Sequence, residues 1–358
     1  MRRCDVVVVG AGAMGSAAAW WLARRGRDVV VLERFEQGHL RGSSHGASRI
    51  FRLAYPEPEY VRLAREALPL WRELEDDTGA ELLTVTGGVD HGLPGSVGLV
   101  ADALSLCGVD YRTLAPAEAA ERWSGMRFAG PVLFQPDAGR VHADRTVLAL
   151  QDRAEALGAE VRFEEPLESL DTLGGAVVVR TPLEELRAPV AVVTCGAWAP
   201  KVLTTHAALP KLTVTQEQVF HFAPADPEHA WPSFIHHRDP FVYGLETPGE
   251  GVKVAEHHTG PQTDPDARDF VVDPAGRDRV AAYVAEWLPG LTLPAAGETT
   301  CLYATTATQN FVIDRADPLV VGAGFSGHGF KFTPVVGRLL ADLVAGEPGL
   351  PRFALDGR

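Results

Sequence analysis

Gly10-Ala11-Gly12-Ala13-Met14-Gly15 directly follows four consecutive valines, Val6 to Val9, and Glu33 closes a second apolar run 18 residues beyond Gly15. Glycines at this spacing let backbone N–H groups approach a pyrophosphate at a helix N-terminus, and a carboxylate after the second strand can accept both ribose hydroxyls. With strand, helix and acid in order, the fingerprint reads as a dinucleotide site rather than a tight turn. The acid disfavours a 2′-phosphate, and nothing in the motif separates FAD from NAD.

Four later clusters also carry chemistry. Gly42 to Arg52 is a small-residue segment with Arg49 and Arg52 three apart; it reads as a capped helix start or as a guanidinium fork for a carboxylate. In Val252 to His257 a period of two puts Lys253, Ala255 and His257 on one face and Val252 and Val254 on the other, and turns His258 away as a surface residue. A plain amphipathic strand with a solvated lysine fits equally. Cys301 and Tyr303 share a face of a short extended segment, where a lone cysteine is ordinarily a small buried hydrophobe. Gly324, Gly327 and Gly329, ahead of Phe330 and Lys331, allow a backbone close to a planar ring or simply make a turn. His236-His237-Arg238-Asp239 lacks further ligands at suggestive spacing, so no metal site is expected and a surface turn is.

The elements that must hold these residues follow from periodicity. Val6 to Val9 and Val29 to Leu32 are strands buried on both faces, as in parallel sheets, joined by a helix from about Met14 to Arg25 that Gly26 ends. Apolar positions between Glu59 and Glu75 recur at helical spacing with a kink at Pro69. Buried-strand runs return at Val190–Val193 and Leu319–Gly322, and an amphipathic helix spans about Pro334 to Ala345. Residues 80–140 and 215–298 instead mix short strand-like runs, such as Phe241 to Leu245, with Gly/Pro turns, and read as an antiparallel lobe. One domain, 1–80, 141–214 and 299–358, is thus interrupted by another, 81–140 and 215–298.

Composition narrows the partners. The balance of 33 Lys+Arg against 47 Asp+Glu gives −14, which repels nucleic-acid backbones and anionic membrane surfaces. The four cysteines, Cys4, Cys107, Cys195 and Cys301, have neither disulfide-framework nor zinc spacing. No signal-peptide core or membrane span is expected, and a cytoplasmic location is.

Read together, Gly42 to Arg52, Thr194 to Trp198, Lys253 to His257, Cys301-Leu302-Tyr303 and Gly324 to Lys331 resemble the glycine/D-amino-acid oxidase superfamily of flavoenzymes. The resemblance covers nearly the whole chain and is strongest to the monomeric sarcosine oxidase and N-methyltryptophan oxidase group. It implies an α/β fold, a Rossmann-like FAD-binding domain interrupted by an antiparallel-sheet α+β substrate domain. It implies FAD held by Gly10, Ala11, Gly12, Ala13, Met14, Gly15, Glu33, Arg34, His39, Gly42, Ser43, His45, Arg49, Ile50, Cys195, Gly196 and Trp198. At the flavin end it adds Gly327, His328, Gly329, Phe330 and Lys331, with a covalent thioether to Cys301.

By the same resemblance Arg52 and Lys331 clamp the substrate carboxylate and Tyr243 and Tyr303 line the pocket. Lys253 serves oxygen activation, with His257 and Arg49 beside the reacting atoms. The implied reaction is oxidation of a secondary-amine amino acid, N-methyl or cyclic, by hydride transfer to flavin. O₂ becomes hydrogen peroxide, and the imine is hydrolysed or released. A flavin dehydrogenase with another acceptor and a deglycating fructosyl-amino-acid oxidase share the scaffold. Relatives in this group carry a second histidine at Ser44 and a paired tyrosine at Val242-Tyr243, so a larger substrate is expected if both positions face the pocket. A monomer acting on a small amino acid and O₂ is the expected assembly.

Overall fold

The computed structural model describes residues 1–204 and 206–355; Thr205 of the 141–214 segment and Asp356 to Arg358 of the 299–358 segment lie outside the described residues. Val6–Val9 is fully buried and lies inside a six-stranded sheet ordered Glu160–Arg162, Val29–Leu32, Val6–Val9, Val190–Val193, Leu319–Ala323 and Val312–Ala316. All neighbours are parallel except the last pair. Unbroken apolar runs are required here because both faces are covered. On one face pack the helices Ala13–Arg24, Ala143–Ala156 and Thr333–Val344, with Pro58–Thr78 packed against them in turn. On the other lies a second sheet of Ser169–Leu173, Ala176–Arg180, Glu185–Ala188 and Arg2–Arg3. Pro69 sits inside its helix, and Gly79 closes that helix at φ +70°.

An eight-stranded sheet forms the other half. Its order is Gly297–Thr306, Leu212–Phe222, Gly251–Glu256, Val242–Thr247, Ser233–His237, Gly88–Gly92, Val132–Gln135 and Arg112–Leu114. Six of its seven neighbouring pairs are antiparallel; Ser233–His237 runs parallel to Gly88–Gly92. The strands Leu212–Phe222 and Gly297–Thr306 pair along their length and cross the sequence boundaries at 214/215 and 298/299. Strand alternation assigns the faces. Phe220, Phe222, Phe234, Val252 and Val254 pack with Val280 and Val284 of the helix Pro274–Trp287, while Val219, His221, Ile235, His237, Leu245, Lys253, Cys301 and Tyr303 face a large cavity.

Several elements and residues depart from the sequence reading. The helices Pro94–Leu106, Ala143–Ala156 and Pro274–Trp287 were not expected. His236 and His237 lie in a buried strand rather than a surface turn: His236 Nδ1 is 3.0 Å from the Tyr283 hydroxyl, and the His237 ring meets Asp90. His258 is no surface residue either, because its φ of +60° breaks the alternation and turns its ring to within 4.0 Å of His257.

Candidate active site

A cavity of about 1530 Å³ runs from the first βα turn to the eight-stranded sheet, and every residue expected to touch cofactor, substrate or the reacting atoms lines it except Gly15. Gly15 acts from behind. A Cβ there would run into the Gly10 carbonyl and the Thr194 hydroxyl, so glycine permits the helix to start against the strand. Gly10, at φ +98°, is equally restricted, with the Thr194 carbonyl where a side chain would go. The Ala13 N–H is capped by Ser44 Oγ at 3.1 Å. Ser44, which also lines the cavity, thus serves the helix start.

Glu33 is buried and held by the backbone: Oε2 accepts from Ala11 N at 2.9 Å and Oε1 from Phe35 N at 3.1 Å. Above it, Asp266 gathers donors from three cavity-lining residues, Arg34 Nη1 at 2.6 Å, Trp198 Nε1 at 2.8 Å and Lys201 Nζ at 2.6 Å. Those donors, Lys201 foremost, hold its carboxyl well below the usual carboxylate range. Nearby, Arg268 donates to the carbonyls of Leu40, Arg41 and Thr300, so the segment carrying both residues straps one half of the molecule to the other. His39 lies beside Glu33, and burial pushes the Cys195 thiol up to about 12, which leaves it an inert part of the wall.

The middle of the cavity is built from Arg49, Lys253 and Cys301. Arg49 donates to the carbonyls of Ser43, His45 and Ser48, which bends the 43–48 loop around it, and its guanidinium lies 5.9 Å over the Phe330 ring. Lys253 is 5% exposed and donates to the Ser48 carbonyl at 2.9 Å. Burial first, then the Arg49 charge, bring its ammonium down to about 7. Across the strand pairs, Cys301 opposes Glu217; burial pushes its thiol up, while Arg49, Lys253 and Arg268 pull the other way. His45 also lines this stretch, and burial brings its ring down to about 3.

At the far end, Arg52 and Lys331 approach one another. Arg52 spends only Nη1 on the protein, donating to the Ala54 carbonyl and to Asp90 Oδ1 at 3.3 Å, which leaves Nε and Nη2 without a partner among the described residues. Asp90 is shared with His237 Nε2 at 2.8 Å. Lys331 is buried and donates to the Tyr55 hydroxyl at 2.9 Å and the His328 carbonyl at 2.7 Å. His257 Nδ1 is 3.3 Å from the Tyr303 hydroxyl, and burial keeps the imidazole neutral. Tyr243 stands beside His257, with ring centroids 6.2 Å apart.

The sequence reading missed Tyr55, Asp90, Asp266 and Arg268. Tyr55 had a spacing signal, three residues past Arg52, and Asp90 had another, an acid inside the strand-like run Gly88 to Gly92. Asp266 and Arg268 had none, because their partners lie far away in the chain.

The residues present fit a dinucleotide carrying a planar ring. The glycine cradle leaves no space for side chains, and the buried His45 Nε2 on the cavity wall has no partner among the described residues. A monomeric sarcosine oxidase of Streptomyces avermitilis is 35% identical over 361 residues, covering 95% of this chain and 93% of its own length. An N-methyl-L-tryptophan oxidase of Yersinia pestis is 29% identical, covering 96% and 95%. The solved structure of NikD, described as an unusual amino acid oxidase essential for nikkomycin biosynthesis, superposes with a TM-score of 0.89 at 29% identity, covering 99% and 98%. The sequence family described as FAD dependent oxidoreductase, DAO, matches residues 5–343. With that match reaching from the first βα turn through the last helix, the chain belongs to the DAO family of FAD dependent oxidoreductases.

Proposed function

We propose that the protein is an FAD-dependent oxidase of amino acids carrying a secondary amine, N-methylated or cyclic. The observation that carries this reading is the free Nε/Nη2 edge of Arg52 beside Lys331 Nζ, in the same cavity as the dinucleotide fingerprint. Burial and the Arg52 charge hold the Lys331 ammonium well below the usual lysine range, a penalty that a carboxylate between the two relieves. A guanidinium edge donates to both oxygens of a carboxylate, and a second cation fixes its orientation. The relatives named for sarcosine and N-methyl-L-tryptophan support an N-methyl amino acid. Ile235, Phe241 and Leu245 give the pocket an apolar wall suited to a side chain or ring.

The amine must lose its proton before a hydride can leave the adjacent carbon. Arg52 and Lys331 lower the affinity of a neighbouring ammonium for its proton. His257, neutral and held through Nδ1 by Tyr303, is the group we assign to take it. When bound, FAD supplies the hydride acceptor, and the chain supplies position and charge. Gly10 to Ala13 and Glu33 would hold its nucleotide end, and Arg49, Phe330 and Gly327 to Gly329 its ring. Cys301 is the proposed point of covalent attachment. Lys253 would present a buried cation to O₂, whose reduction to hydrogen peroxide builds negative charge.

Oxygen uptake with stoichiometric peroxide during turnover of N-methyl and cyclic amino acids tests the oxidase reading. Rapid flavin reduction by such a substrate, followed by no reoxidation in air, would make the protein a dehydrogenase instead.

A further inference from the structure

Arg52 and Lys331 both rest on Tyr55. Its ring face lies 4.5 Å from Arg52 Cζ, and its hydroxyl oxygen is 2.9 Å from Lys331 Nζ and 3.3 Å from His328 Nδ1. These bonds have one consistent direction. His328 Nε2 is 3.2 Å from the Gln309 carbonyl, which can only accept, so the proton of the neutral ring sits on Nε2. Nδ1 is then an acceptor, the Tyr55 O–H donates to it, and the phenol oxygen is left to accept from Lys331. Burial and the Lys331 charge keep His328 neutral, and burial keeps the phenol protonated.

Tyr55 is itself packed in place. It is 4% exposed, stacks on Tyr60 with centroids 5.3 Å apart and meets Phe332 at 5.7 Å. Two like charges brought together repel; Asp90 answers Arg52 from the Nη1 side, and a further partner that is negative without being a carboxylate leaves the anion site open. An aromatic face answers the first cation and a phenol oxygen the second.

We propose that Tyr55 is the positioning residue of the carboxylate clamp: one rigid side chain sets the spacing of the Arg52 guanidinium and the Lys331 ammonium so that a single substrate carboxylate meets both. The inference rests on the reading above that these two cations hold that carboxylate. Tyr55 acts through the two cations it contacts, so its removal acts on binding rather than on the hydride step.

The test uses the holoenzyme and Tyr55→Phe, which keeps the ring and removes the hydroxyl. Tetrahydrofuran-2-carboxylate, a cyclic carboxylate that cannot be oxidised at nitrogen, is titrated against the bound flavin's absorbance. The anaerobic rate of flavin reduction at saturating N-methyl amino acid is measured in parallel. Loss of a hydrogen bond to a buried charge predicts a Kd raised about tenfold or more, with the saturating rate essentially unchanged. Tyr55→Leu, which also loses the face under Arg52, is expected to weaken binding further. An unchanged Kd in Tyr55→Phe overturns the proposal, and so does a fall in rate that parallels the loss of binding. If the wild-type flavin is neither perturbed by the carboxylate nor reduced by any amino acid, the carboxylate reading fails first and this inference falls with it.

Discussion

Lys253 and Cys301 share one cavity wall and show what burial does to opposite kinds of group. The lysine comes down from an ordinary 10.5 to about 7. In the unfolded chain it stays protonated to about 10.5, so between about 7 and 10.5 folding releases a proton and stability rises with pH. Lys253→Met should therefore be more stable than the wild type at and below neutral pH, with the difference shrinking as pH rises; thermal unfolding across that range reads it, and a constant difference would contradict it. In stopped-flow measurements the same substitution should slow flavin reoxidation by O₂ far more than flavin reduction. For Cys301, acid precipitation should bring flavin down with the wild-type protein and leave it in the supernatant with Cys301→Ser. Yellow supernatant from both would remove the thioether. The shared faces of Cys301 with Tyr303 and of Lys253 with His257 were legible because a strand alternates, while the roles assigned to them came from the family resemblance. His258 was not, because one residue with positive φ follows the strand.

At the scale of elements, the site depends on how closely the first helix meets the first strand. Gly15→Ala would place a methyl against the Gly10 carbonyl, and repair requires the helix to move away from the strand end that feeds the cofactor turn. The expected loss is about 1–3 kcal/mol of stability together with weakened FAD binding, read by denaturant unfolding and by quenching of flavin fluorescence on titration. Four parallel strands were legible as valine-rich runs and the eight-stranded sheet in outline, whereas Glu160–Arg162, with one apolar residue, was not. The helix Pro94–Leu106 was hidden by Gly95, Gly98 and two serines, which dilute helical propensity, although Val97, Val100 and Leu104 keep helical spacing. Ser44 lines the cavity, and its bond to Ala13 N is a contact between segments that no local pattern announces.

Across the whole molecule, a balance of −14 surrounds a cavity into which Arg49, Arg52, Lys253 and Lys331 all project. The segment holding Asp266 and Arg268 leaves the eight-stranded half and closes on Arg34, Leu40, Arg41, Trp198 and Lys201 of the nucleotide end. Asp266→Ala in a Cys301→Ser background should therefore release FAD faster than Cys301→Ser alone, measured by the appearance of free-flavin fluorescence after dilution; equal rates would leave the strap a purely structural link. Such long-range pairings are set by tertiary packing, which is why neither the strap nor the Asp90–Arg52 contact was legible beforehand. Among the described residues no helix is long and apolar enough to cross a membrane. The central claim, that the cavity binds a secondary-amine amino acid by its carboxylate and passes a hydride from it to flavin, is tested most directly by anaerobic mixing. N-methyl and cyclic amino acids should bleach the bound flavin while the corresponding amines without a carboxylate do so only weakly. A flavin left oxidised by every such amino acid, or reduced equally well by the carboxylate-free amines, would contradict it.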